Sequence, residues 1–155
     1  MEGVEEPIVI YPLTYEHLAP GLIRERSADQ KLCIFVVHDG LAATIDAWET
    51  CARDVLNEWP TTRPCLLIHD FNRGWLGDFG KNMLGRFERL YTFRPDLKRQ
   101  VAIILPHNVT ISVLVELDIR LREMAAPYKY PIRWEVFAKR TEALKWLIYN
   151  RHREE

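Results

Sequence analysis

Ile34-Phe35-Val36-Val37-His38-Asp39 is the first of three apolar runs that each stop at a histidine, followed by Leu66-Leu67-Ile68-His69-Asp70 and Val101-Ala102-Ile103-Ile104-Leu105-Pro106-His107. Short, β-branched and apolar almost throughout, such runs suit strands buried on both faces of a parallel sheet. Parallel strands end along a common edge, and open α/β sheets place their ligands outside the carboxyl ends of their strands. His38, Asp39, His69, Asp70, Pro106 and His107 are therefore predicted to lie together on the edge where a ligand would bind.

The segments between these runs have helical period. Ile45, Trp48, Ala52, Val55, Leu56 and Trp59 fall on one face of a first helix, with Thr44 in position to cap it, Asp46 in its first turn and Pro60 just past its end. A second helix is predicted from about Asp78 to Tyr91, with Phe79, Met83, Phe87, Leu90 and Tyr91 on one face. Arg94-Pro95 stops it, because the residue before proline avoids helical angles. Ile111, Leu114, Leu117, Leu121 and Met124 keep helical spacing after a cap at Asn108 or Thr110. Ile111, Val113, Val115 and Ile119 also favour strands, but the uninterrupted length decides for a third helix. Ile132 to Phe137 alternates like a half-exposed edge strand, and Thr141 is placed to cap a last helix carrying Ala143, Leu144, Leu147 and Ile148. Before residue 31, Ile8 to Tyr11 reads as a strand and Tyr15 to Leu18 as a turn or short helix. Gly21 to Arg26 reads as a second strand, paired antiparallel with Lys31 to Val37. The order is β-β-β-α-β-α-β-α-β-α: an α/β fold with a single mixed, mostly parallel sheet and about four helices. It forms one domain over 1–155, with N-terminal strands in 1–30, a core in 31–148 and a fraying tail in 149–155.

Composition narrows the function. A chain of 155 residues supplies one core, and 48% hydrophobic with 28% charged residues is globular. Lys+Arg 21 against Asp+Glu 22 gives a net charge of -1, which argues against a nucleic-acid protein that works through an overall positive field. No apolar stretch is long enough to span a bilayer, and Glu2, Glu5 and Glu6 stand where a signal peptide carries positive charge, so the cytoplasm is the expected compartment. Cys33, Cys51 and Cys65, odd in number, read as small buried hydrophobes of a reduced protein.

Imidazole and carboxylate ligands at His38, Asp39, His69, Asp70 and His107 would suit a metal-dependent enzyme, but no His-x-x-x-His or His-x-Glu element fixes two ligands on one rigid piece. An aspartate after a parallel strand more often caps the next turn, and the histidine before it points to the opposite face of the pleat. Neither Ser27 nor Ser112 lies in a Gly-x-Ser-x-Gly elbow, and Cys33 and Cys65 in apolar strands do not suggest a low-pKa thiolate. The loop Asn72-Arg73-Gly74-Trp75-Leu76-Gly77-Asp78-Phe79-Gly80-Lys81 leads glycines into a helix N-terminus, a geometry that offers N–H groups to an anionic small molecule. It is not a Walker A loop, since Trp75 and Asn82 stand where that motif needs Gly and Ser or Thr. Trp75 and Leu76 between glycines read as apolar anchors for a partner, the alternative being that Trp75 folds back on the core. From Asp78 to Arg99 six basic residues (Lys81, Arg86, Arg89, Arg94, Lys98, Arg99) outnumber three acidic ones, a face suited to an acidic partner or anionic lipid heads. No cofactor motif is present.

Cys33 to Gly40 with the helix after it, then Cys65 to Asp70 with its glycine-containing loop and helix, resembles the STAS fold of anti-sigma-factor antagonists. Trp134-Glu135-Val136-Phe137 running into Ala143-Leu144-Lys145-Trp146-Leu147 is similar to the closing strand and helix of the related SpoIIAA-like group. The resemblance covers roughly 31–148 and implies a small sheet with helices on one side, acting as a docking or sensing module. In regulatory STAS proteins a Ser or Thr at the start of the second helix is phosphorylated. The corresponding stretch here is Gly77-Asp78-Phe79-Gly80, and an aspartate cannot be cycled by a kinase. The SpoIIAA-like group implies, in addition, an apolar ligand held beneath mobile helices. The expectation is a non-enzymatic module that docks a protein partner through loop 74–80 and the second helix, using Arg73, Trp75, Leu76, Asp78, Phe79, Lys81, Arg86 and Arg89. The alternatives are a carrier or sensor of lipid or another small apolar ligand, and the metal-dependent enzyme.

Overall fold

The computed structural model describes residues 10–71, 79–107, 109, 111–125 and 132–150. Six strands, β1 (Thr14–Ala19), β2 (Leu22–Arg26), β3 (Leu32–Val37), β4 (Cys65–Asp70), β5 (Arg99–Ile104) and β6 (Ile132–Phe137), form one sheet in the order of the chain. β1, β2 and β3 pair antiparallel, and β3, β4, β5 and β6 pair parallel. Four helices, α1 (Ala42–Glu58), α2 (Phe79–Thr92), α3 (Ile111–Ala125) and α4 (Arg140–Asn150), complete the β-β-β-α-β-α-β-α-β-α order read from the sequence.

Every residue of β3, β4 and β5 is buried, because each face of these central strands has its own cover. On one face Cys33, Phe35, Val37, Leu67, Val101 and Ile103 meet Ile45, Trp48, Ala52, Val55 and Leu56 of α1, Met83, Phe87, Leu90 and Tyr91 of α2, and Leu117 and Leu121 of α3. On the other, Leu32, Ile34, Val36, Leu66, Ile68, Ala102 and Ile104 meet Ala143 and Leu147 of α4. The STAS resemblance implies helices on one side only; here α4 folds back over the opposite face. Its start is pinned by Arg140, whose guanidinium takes both carboxylate oxygens of Glu25 on β2, one of them at 3.3 Å, and whose Nε lies 3.7 Å from Asp70 Oδ2 at the end of β4.

The N-terminal region departs from the sequence expectation. Tyr15 to Leu18 is not a turn or helix but part of β1, and Ile10 and Tyr11 lie outside any strand, while Ile8 and Val9 fall outside the described residues. β1 is an edge strand exposed along most of its length, so it lacks the apolar alternation that marks a strand. It is held instead by pairing, with Glu16 directly opposite Arg24 and ion-paired to it. α1 begins earlier than predicted, with Leu41 at its N-cap making no side-chain cap bond, so Thr44 is a buried residue of the helix and not its cap. Thr141 likewise lies inside α4, which starts at Arg140. Asn108 and Thr110 fall outside the described residues.

Arginines close the carboxyl ends of two helices, where backbone carbonyls have no helical partner. Arg94 takes the left-handed conformation before Pro95 (φ 48°), and its Nη1 donates to the carbonyls of Leu56 (2.7 Å), Asn57 (3.2 Å) and Trp59 (2.8 Å) at the end of α1. The buried Arg99 on β5 does the same for α2, donating from Nη1 to Leu90 O at 2.9 Å and from Nη2 to the carbonyls of Phe93 and Arg94.

The turn into β2 is as tight as the core. A methyl group on Gly21 would lie 2.3 Å from Asp39 Oδ2 and 2.8 Å from Thr44 Oγ1, and Gly21 O accepts the His38 N–H at 2.8 Å. Gly21→Ala is expected to destabilise the fold by about 1–3 kcal/mol, the usual cost of overpacking, read as a lower urea midpoint at unchanged m-value. An unchanged midpoint would show that this junction has slack.

Candidate functional site

The carboxyl edge of the parallel strands forms as predicted, but its three histidines have different fates. His69 is buried at 3% exposure. Its Nδ1 accepts the indole N–H of Trp48 at 3.1 Å, and its ring stacks on Phe35 at 5.7 Å between centroids. Trp48 also meets Phe71 and Phe87 edge-on, so the histidine belongs to an aromatic cluster that joins β4 to α1 and α2. Burial pushes the His69 imidazole down to about 3, so it is neutral near neutral pH. Asp70, one residue on, points to the opposite face and to Arg140, which is the alternation predicted for His-Asp at a strand end. Asp39 accepts the Leu41 N–H through Oδ1 at 3.0 Å and so supports the turn into α1. His38 is exposed, and His107 is exposed at the end of β5. Among the described residues no three His, Cys, Asp or Glu side chains converge as a metal ion requires. Cys33 and Cys65 are buried thiols, with Cys33 pushed up to about 12 and Cys65 also raised, both chiefly by desolvation.

Of the residues expected to dock a partner, Arg73, Trp75, Leu76 and Asp78 lie outside the described residues, as do the side chains of Phe79 and Lys81. Arg86 and Arg89 are committed within the fold. Arg86 reaches Asp46 Oδ1 at 2.7 Å and Glu49 Oε1 at 3.1 Å, and Arg89 Nε and Nη2 each meet a Glu49 oxygen at 2.7 Å, binding α2 to α1. Hydrogen bonding from Arg89 holds the Glu49 carboxyl below its ordinary range. With Arg94 and Arg99 occupied by helix ends, four of the six basic residues between Asp78 and Arg99 make bonds within the fold, Arg89 from a side chain that stays 54% exposed.

The open part of the edge is elsewhere. Between α3 and the carboxyl ends of β5 and β6 lies a cavity of about 550 Å³, a size typical of small-molecule sites. Leu105, Pro106, His107 and Val109 line it from the segment leaving β5, Leu114, Val115 and Asp118 from α3, and Glu135, Val136, Phe137 and Ala138 from the end of β6. His107 is thus the one strand-end histidine that reaches it. Arg122 braces the α3 wall, with its Nε 3.0 Å from Asp118 Oδ2 and its guanidinium 5.4 Å from the centre of the Trp134 ring. The apolar surface continues over α3, where Ile111 is 80% exposed, Val115 50% and Ile119 49%. The sequence carried the signal for this site. Ile111, Val115 and Ile119 fall off the Leu117–Leu121 face, so the helix has more apolar surface than one buried face consumes.

Fold and cavity together define an α/β protein with one mixed six-stranded sheet and an open pocket at its carboxyl edge. No family model, curated protein or solved structure matches the chain. No helix among the described residues is long and apolar enough to cross a membrane.

His69 supplies a pH test. Its ordinary value of 6.5 applies in the unfolded chain and about 3 in the folded one. The unfolded state therefore binds the extra proton between those limits, and stability falls as pH is lowered through them. His69→Gln, which keeps an acceptor for the Trp48 N–H, should remove about 2 kcal/mol of the stability lost between neutrality and pH ~5. Identical pH profiles of the urea midpoint for parent and variant would contradict a buried neutral His69.

Proposed function

We propose that this protein is a non-enzymatic, STAS-like binding module, and that it carries or senses a small amphipathic ligand in the cavity beneath α3. The observation that carries the reading is the concave, largely apolar pocket at the carboxyl ends of β5 and β6, with His107, Asp118 and Glu135 as the polar side chains among the described residues that line it. A few polar groups in an apolar hollow orient a ligand whose body supplies most of the buried area. The position agrees with the general preference of α/β sheets for ligands at this edge. It also moves the ligand from the second helix, where the sequence placed it, to the third, whose outer surface is the more apolar. STAS-like kinship rests on the element order and on the closing strand and helix from Trp134 to Leu147. Docking of a protein partner through loop 74–80 is carried by the sequence alone.

Organic extraction of the purified protein followed by mass spectrometry is expected to recover one class of amphipathic molecule at close to one per chain. Leu114→Trp, which fills the cavity from a partly exposed position, should reduce that recovery about tenfold while shifting the thermal midpoint by only a few degrees. Absence of any retained molecule, or equal retention by Leu114→Trp, would overturn the proposal.

A further inference from the structure

Charge along the cavity selects among amphiphiles, and this step rests on the ligand-binding reading above. Among the described residues that line it, the ionisable side chains are Asp118, Glu135 and His107, with no lysine or arginine. Arg122, from outside the lining, offsets Asp118 through their 3.0 Å contact. Lys139 follows the lining residue Ala138 without lining the cavity itself, and Arg140 is bound to Glu25 on the opposite face of the sheet. Glu135 is exposed on β6 and shares the Arg122 cation with Asp118, so two carboxylates meet one arginine beside the apolar walls of Leu114, Val136 and Phe137.

We infer that the cavity takes a cationic amphiphile, an alkylamine or quaternary-ammonium head on an apolar body, with the head at Glu135 and Asp118 and the body against α3 and Phe137. A cation drawn out of water needs a counter-charge, and Glu135 supplies one at the mouth. An anionic head in the same place would meet a like charge at short range, in a setting less polar than water. A carboxylate or phosphate amphiphile, the commoner cargo of lipid carriers, is therefore disfavoured here.

Matched ligands separate head from body. Calorimetric titration with octylamine, octanoate and octanol at low ionic strength, where screening is weakest, should show saturable binding, with octylamine about tenfold tighter than octanoate and octanol between them. Glu135→Gln, an exposed change with little bearing on folding, should bring octylamine and octanoate within about threefold of each other and leave octanol unchanged. Octanoate binding as tightly as octylamine, or an unchanged ratio in Glu135→Gln, overturns the charge assignment while leaving the cavity as a ligand site. No saturable binding by any of the three overturns the site itself.

Discussion

The indole N–H of Trp48 given to Nδ1 of His69 is the contact around which the aromatic centre of this structure is built. It joins the middle of α1 to the end of β4, and around it Phe35, Phe71 and Phe87 close in from β3, from the turn after β4 and from α2. A buried indole donor and a buried imidazole acceptor each need a partner, and here Trp48 Nε1 and His69 Nδ1 satisfy each other. The consequence is chemical as well as mechanical. A neutral histidine whose Nδ1 already accepts a hydrogen bond, packed on every side, cannot serve at that nitrogen as base or ligand.

The rest of the edge follows from that constraint. With His69 turned to the α1 and α2 face, Asp70 turns to the opposite face, where it is buried beside Arg140 at the start of α4. Asp39 is taken by the turn into α1. The carboxyl ends of β3 and β4 are thus spent on architecture, and the open space lies at β5 and β6, where a flanking edge strand and a helix of excess apolar surface leave a hollow unfilled. Ion pairs and caps show the same economy. Arg86 and Arg89 fasten α2 to α1, while Arg94 and Arg99 close helix ends, so charges clustered in the sequence also tie the helices together.

Much of this was legible in the chain. Period-two and period-3.6 patterning placed β2 to β6 and all four helices, because each of those elements buries at least one face. β1 was missed because its first four residues are exposed and only Leu18 and Ala19 at its end pack against the core, leaving its cross-strand pairing to define the rest. Helix starts at Ala42 and Arg140 were misplaced because α1 has no side-chain cap and the threonines that looked like caps lie inside their helices. The fate of His69 and Asp70 was legible as well, since a strand's alternation sends them to opposite faces whatever follows. The cavity was not found. Its parts are far apart in sequence, and the residues that announced it, Ile111, Val115 and Ile119, posed a choice between helix and strand before they could pose a question about what a helix so apolar would cover.

The central claim is that function resides at β5, β6 and α3, and that the His69 end of the edge is structural. Amide chemical-shift mapping during titration with an amphiphile tests it most directly. The account predicts perturbations concentrated in Leu105 to Val109, Leu114 to Asp118 and Glu135 to Ala138, with the Trp48 indole N–H resonance left in place. Shifts centred on Trp48, His69 and the Arg86–Arg89 stretch of α2, with those three segments silent, would contradict it.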